Sequence, residues 1–248
     1  MDLLRTAIIA CKTVINEMRP FLTPETQRYC VEAGLHLRPE NLRSALQAHI
    51  DDISADTETI ILGYGLCSMG VVGLKATHST LIIPRRDDCI AIFLGSPKAY
   101  RNELNREPGT YFLSKGWIDA GITLLDDLEK MKARYGKGGS ERIMKRMLQH
   151  YRRLAFVDVG YPDLELYRQF ARKAAREFNL DYQEIRGTPE FLAKICNGPW
   201  DDDFVLAPPG CTVELADFKT NSTGNRQRRG LIGQRNSVCT GSLLNPRS

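Results

Sequence analysis

Six short runs of apolar and β-branched residues, each bounded by turn formers, limit the folds open to this chain. They are Thr6–Ala10 (TAIIA), Thr59–Gly63 (TIILG), Thr80–Ile83 (TLII), Leu154–Val159 (LAFVDV), Tyr182–Ile185 and Phe204–Leu206. A strand with one wet face alternates apolar and polar residues. A near-continuous apolar run instead reads as a strand buried on both faces, as in a parallel sheet. Helical patterns separate the runs. In Glu40–Ile53, the residues Leu42, Ala45, Leu46, His49, Ile50 and Ile53 share one face, and Pro39 suits a helix start. Leu164–Phe178 and Thr188–Cys196 repeat the theme. The alternation predicts an α/β fold, doubly wound about a mostly parallel sheet and arranged as two Rossmann-like lobes.

The middle of the chain differs. Asp119–Tyr135 and Ser140–Tyr151 read as two helices about the breaker Gly136-Lys137-Gly138-Gly139. The expected organisation is a larger α/β lobe over residues 1–150, a smaller lobe packed on it over 151–218, and a tail over 219–248. A chain of 248 residues can bury a real core. It holds no run of about 18 apolar residues, so no membrane span is predicted. Basic residues number 34 and acidic residues 30. Six of the basic residues and none of the acidic ones lie from Lys219 onward, which leaves residues 1–218 with 28 basic, 30 acidic and a balance of −2. The body therefore carries no footprint for nucleic acid. The tail is polar, Gly-rich and aromatic-free, and is expected to be disordered, with a weak arm for an anionic partner as the alternative.

Seven cysteines, an odd number, are scattered without any CxxC pair. The apolar stretch near the start is too short for a signal peptide, which points to a cytoplasmic protein whose cysteines stay thiols, bind metal or do chemistry. Their placement is the informative feature. Cys11 follows the first run, Cys67 lies in the loop after the second, Cys89 follows the third and Cys211 follows the last. In parallel α/β sheets the loops at the carboxyl ends of strands form the ligand crevice. Cys30 and Cys196 read as core residues and Cys239 as part of the tail.

Other residues offer a ligand shell. The loop GYGLCSMGVVGL contains Gly63, Gly65, Gly70 and Gly73. Glycines let backbone approach a ligand closely, but the loop fits neither the Walker nor the dinucleotide pattern, and a tight strand–helix turn explains it equally. Asp88 is placed to cap a helix opening at Cys89. A helix N-terminus favours thiolate, and Arg85 and Arg86 add positive potential, so Cys89 is the best candidate for a reactive or metal-binding sulfur, against an inert buried one. His36 precedes a helix and is either structural or a ligand. Cysteine sulfurs with one imidazole suit zinc, or an iron–sulfur cluster if sulfurs dominate. His49 reads as core, and His78 and His150 as surface. The segment Gly109–Trp117 either walls a pocket, with Tyr111 and Ser114 as polar contacts, or is a packed connection. Asp158 and Asp201–Asp203 are further polar candidates.

The stretches IIACKTV, LHLRPENLRSAL, ILGYGLCSMGVVGL, PRRDDCIAIFLGS, GTYFLSKGW and FVLAPPG, in this order over roughly residues 5–210, resemble the prokaryotic family known only as domain of unknown function 1638. The resemblance implies a cytoplasmic protein, often encoded beside corrinoid-dependent methyltransferases and their reactivating proteins. Its pattern falls on Cys11, His36, Pro39, Gly65, Cys67, Gly73, Arg85, Asp88, Cys89, Gly109, Thr110, Tyr111, Gly116 and Trp117. Relatives carry a histidine before the Asp-Cys pair, where Asp87 stands here. That weakens any role needing a second imidazole. Cys211 lies outside the pattern.

These readings combine into an expectation. Cys11, His36, Cys67 and Cys89 hold zinc or iron at the sheet edge. Gly65, Arg85, Arg86, Asp88 and Thr110 bind an anionic small-molecule substrate, and Cys89 and Tyr111 act on it, in methyl-group or one-carbon metabolism. A corrinoid protein or methyltransferase is the expected partner, with neither nucleic acid nor membrane involved. A metal-free cysteine enzyme and a non-enzymatic metal or cofactor accessory are the alternatives.

Overall fold

All six apolar runs form strands, joined by two further strands, in a computed structural model that describes residues 5–219. The tail expected to be disordered lies outside the described residues from residue 220 onward. The first sheet contains β1 (Thr6–Cys11), β2 (Gln27–Val31), β3 (Thr59–Leu62), β4 (Thr80–Pro84) and β8 (Phe204–Ala207) in the order β2-β1-β3-β4-β8. The first four are parallel, and β8 runs antiparallel to β4. The second sheet is parallel throughout, in the order β5 (Thr110–Ser114), β6 (Arg153–Asp158), β7 (Asp181–Arg186). The fold is thus α/β with mostly parallel sheets. Residue 150 falls between β5 and β6, two strands of one sheet.

The two strands that lacked a clear apolar run are β2 and β5. β2 is an edge strand of sequence QRYCV that buries only Val31 well, so its polar residues tell of an edge rather than a loop. β5 (TYFLS) is apolar enough, but its aromatic residues and flanking breakers disguise it as a connection. β1 shows why the apolar runs are continuous. Ala7, Ile8, Ile9 and Ala10 are all fully buried, because both faces of the strand are covered.

Helices cover the sheets: α1 (Lys12–Met18), α2 (Pro39–Ile53), α3 (Cys89–Phe93), α4 (Pro97–Arg106), α5 (Lys115–Ala120), α6 (Leu124–Met147), α7 (Glu165–Glu177) and α8 (Pro189–Asn197). α2 buries Leu42, Leu46, Ile50 and Ile53, the stripe expected from its periodicity. α6 spans the expected breaker, but Gly136 adopts φ 68° and ψ 173°, which bends the helix there. Its start is fixed by a reciprocal capping box between Thr123 and Asp126.

One buried carboxyl group sits where α1 of the first sheet packs on α5 of the second. Glu17 is fully buried. Its Oε1 accepts hydrogen bonds from the Ser114 hydroxyl and the Gly116 amide, each at 2.5 Å. The Asn16 amide donates to the Gly116 carbonyl at 3.2 Å, and the Tyr161 hydroxyl donates to the Glu17 carbonyl. Gly116 must be glycine, since an added Cβ would lie 2.7 Å from Glu17 Cγ and press on the Thr13 carbonyl. Glu17 Oε2 has no partner among the described residues. Burial pushes the Glu17 pKa up, against the hydrogen bonds from Ser114 and Gly116.

A carboxyl group raised in the folded state stabilises it below the ordinary glutamate pKa, and that contribution is lost as pH rises through the raised value. Wild-type stability is therefore expected to fall over that window. Glu17→Gln, which keeps an acceptor but cannot ionise, is expected to flatten the profile. Glu17→Ala leaves two buried donors unmet, at roughly 1–3 kcal/mol each. Urea unfolding at a series of pH values measures all three.

Candidate functional site

Parallel strands end at a common edge, and β1, β3 and β4 deliver their loops to it. Cys11 is the last residue of β1 and precedes α1 directly. Cys67 lies in the loop after β3 and is buried. Cys89 is the first residue of α3, after β4, and is half-buried like Cys11. The three thiols interact electrostatically with one another. The pKa of Cys89 is raised well above the usual thiol value, first by burial and then by Cys11, Asp88 and Cys67. Cys67 is pushed up to about 12 by burial, with Asp88 and Cys11 adding to it. Burial also raises Cys11, and Cys30 contributes. The thiolate expected at Cys89 from its place in a helix is therefore not favoured. α3 has only five residues, and desolvation outweighs its N-terminal amides.

Asp88 caps α3 as expected, its Oδ1 accepting the Ala91 amide at 3.0 Å. Its Oδ2 accepts the Tyr100 hydroxyl of α4 at 2.6 Å. His36, on the one-turn helix Leu35–Leu37, is exposed at the rim. Partial burial lowers its pKa, and the nearby Asp88 acts in the opposite direction. Neutral imidazole is the form that can ligate.

Two features of the Cys67 loop set it apart. Cys67, Ser68 and Met69 have φ of 45°, 55° and 69°, a left-handed turn made without glycine. Left-handed backbone costs L-residues roughly 1–2 kcal/mol each, and such strain concentrates at functional sites. The turn is held by the Leu66 amide donating to the Arg86 carbonyl at 2.7 Å and the Cys67 amide donating to the Asp87 carbonyl at 2.9 Å. Gly65 permits this approach, for an added Cβ would lie 2.9 Å from both the carbonyl carbon of Arg86 and the amide of Asp88. Beside the turn, Tyr64 is only 4% exposed and its hydroxyl has no hydrogen-bond partner among the described residues. Its pKa is raised by burial and by all four of Cys11, Cys67, Cys30 and Cys89.

Several expected site residues stand elsewhere. β8 runs antiparallel, so its end at Ala207 pairs with Leu81, at the start of β4. Cys211 beyond it thus belongs to the opposite edge from Cys67 and Cys89. Arg85 donates to the carbonyls of Phe204 and Asp217. Arg86 is buried, pairs with Asp203 at 3.0 Å and stacks over Phe191 at 3.9 Å. Both guanidinium groups fasten β8 to the sheet. Thr110 opens β5, where its hydroxyl donates to the Glu107 carbonyl and accepts from Arg153. Tyr111 packs against the second core, 6.2 Å from Tyr151. Asp158 pairs with Arg168 at 2.7 Å, and Asp201 and Asp203 pair with Lys194. Cys196 is a core thiol, as expected. Cys30 is exposed on β2, not core, because β2 is an edge strand.

The residues that sequence reasoning missed are Tyr64, Cys30 and Tyr100. Tyr64 stands between two glycines of the loop already singled out. Cys30 needed β2 to be recognised as a strand beside β1. Nothing in the sequence signals Tyr100, whose contact depends on α4 folding back over α3. Among the described residues no three His, Cys, Asp or Glu side chains are already arranged to hold a metal ion, and no helix is long and apolar enough to cross a membrane.

Fold and site together define an α/β protein with a cysteine-lined edge on a parallel sheet. The chain belongs to the family described as "Protein of unknown function (DUF1638)", whose pattern matches residues 30–196. No curated protein and no solved structure matches it.

Gly65→Ala tests how the loop is held. Overpacking there is expected to destabilise by about 1–3 kcal/mol. It should also loosen the Cys67 turn, so that Cys67 alkylates faster than in wild type, as mass spectrometry of iodoacetamide-treated protein would read.

Proposed function

We propose that the chain binds a thiophilic metal ion, zinc in the first place, through Cys11, Cys67 and Cys89 at the carboxyl edge of the parallel sheet. His36 is the candidate fourth donor from the rim. The observation that carries this reading is that three thiols, in the loops after three adjacent strands, lie near enough to act on one another and on the buried Tyr64 hydroxyl, which has no partner among the described residues. The donor set fits a soft or borderline cation, being sulfur-rich with one imidazole. Because no three such side chains among the described residues stand in coordinating geometry, binding would require the thiols to turn toward a common centre and give up their protons. A bound cation supplies the positive charge that offsets thiolate burial, lowers the pKa of a coordinated thiol and makes it a competent methyl acceptor. The raised thiol pKa values weigh against a metal-free nucleophile at Cys89. An iron–sulfur cluster is the alternative occupant for the same sulfurs.

The chain's own residues would divide the remaining work. Asp88, fixed by the Ala91 amide and the Tyr100 hydroxyl, holds negative charge beside Cys67, Cys89 and His36. Tyr64 keeps a hydroxyl available inside the cluster. The left-handed turn at Cys67–Met69 presents the middle sulfur. Methyl-group metabolism in the cytoplasm, a small-molecule substrate, and a corrinoid protein or methyltransferase as partner extend this proposal. They follow what the resemblance to the family implies rather than the geometry.

Protein purified anaerobically is expected to contain about one metal ion per chain, measured by plasma mass spectrometry. Cobalt(II) added to metal-stripped protein is expected to give thiolate-to-metal charge-transfer absorption, which the Cys67→Ser, Cys89→Ser double variant lacks. Metal-free protein that gives no such absorption with cobalt overturns the proposal. Iron with a brown colour moves the sulfurs to a cluster.

A further inference from the structure

The charge of the body is unevenly placed. Residues 133–152 carry six basic side chains (Arg134, Lys137, Arg142, Lys145, Arg146 and Arg152) and one acidic one, Glu141. The rest of residues 1–218 carries 22 basic and 29 acidic groups, a balance of −7. All six basic residues are exposed. Among the described residues none of them forms an ion pair. Apolar surface is interleaved with this charge, since Tyr135 is 49% exposed, Met147 47% and Tyr151 39%. Tyr135, Gly139, Arg142, Ile143 and Arg146 line a shallow groove along the outer side of α6 past its bend.

We propose that this groove docks a partner protein through an acidic, amphipathic helix. Arg142 and Arg146 are one helical turn apart, about 6 Å along the axis, which matches carboxylates at i and i+4 on an opposing helix. Guanidinium groups pair with carboxylates through two parallel hydrogen bonds, so this spacing carries register as well as charge. Ile143 and the exposed Tyr135 and Met147 supply the apolar contact that a helix laid in a groove needs.

Two other polyanions fit less well. The body outside this segment is negative and repels an extended nucleic acid lying across it. An anionic membrane surface needs a broad apolar helix face to enter it, but α6 keeps Leu124, Leu128 and Met144 in the second core and exposes only Tyr135 and Met147 of its large apolar residues. This inference does not rest on the metal proposal, because the groove shares no residue with the thiol site.

Fluorescence anisotropy with the full chain tests it. The probe is a dye-labelled synthetic helix bearing Glu at i and i+4 beside a stripe of Leu. Binding is expected at low salt, weakening as salt rises. Arg142→Glu with Arg146→Glu should weaken it by about tenfold or more, and replacing the Leu stripe with Ser should weaken it too. Both arginines are exposed, so an unchanged thermal midpoint will show that the variant is folded, and Arg142→Ala with Arg146→Ala should give a smaller loss. The proposal is overturned by four results: no peptide binding, binding indifferent to the double variants, a short DNA duplex or phosphatidylserine vesicles binding as tightly with the same dependence, or self-association of the chain that the charge reversal abolishes.

Discussion

Burial of β1, β3 and β4 on both faces is the constraint from which most of the structure follows. A strand such as TAIIA has no wet side, so its hydrogen bonds must be met by strands on either flank and its side chains by helices above and below. Parallel pairing answers the first need and crossover helices answer the second. The same geometry brings the ends of β1, β3 and β4 to one edge. Cys11, Cys67 and Cys89 share that edge because their strands run parallel, each reached through a crossover. The arrangement of the site is in this sense a by-product of core burial.

What happens at the edge runs against stability. Three thiols are raised in pKa by burial, a tyrosine hydroxyl lies buried with no partner among the described residues, and three consecutive residues take a left-handed backbone without glycine. Each of these costs free energy, and three such residues in a row contrast with turns that use glycine, as at Gly34 and Gly73. Strain and unmet polar groups that sit together, amid otherwise well-packed surroundings, are the physical grounds on which the proposed site rests. A second unmet group, Glu17 Oε2, has a different setting. It belongs to the joint between the sheets, where Ser114, Gly116 and Tyr161 close around one residue.

Sequence reasoning succeeded where one local rule decided the outcome. Short β-rich runs marked six strands, five of them well buried and β7 burying only Ile185, periodicity marked the inner face of α2, and Asp88 was recognisable as a cap because helix N-termini select such residues. It failed where a residue's meaning depended on its neighbour in space. The basic pair after β4 looked like an anion cradle, yet both arginines are taken up by β8, a strand more than a hundred residues further on. Tyr111 looked like a pocket residue and is part of the second core. Cys30 looked buried because its strand was not recognised.

The amino-acid sequence by itself determined that this chain folds as an α/β protein with mostly parallel strands, and that Cys11, Cys67 and Cys89 follow buried strands. Those properties reside in short stretches, where apolar run length and turn chemistry act locally. Only the tertiary structure decided that Cys211 lies at the opposite edge, that Tyr64 stands among the thiols, and that Arg85 and Arg86 serve β8. Each depends on strand direction and on contacts between distant segments. A run such as FVLA buries the same apolar surface whether it enters a sheet parallel or antiparallel, so its direction is set by the partners it meets.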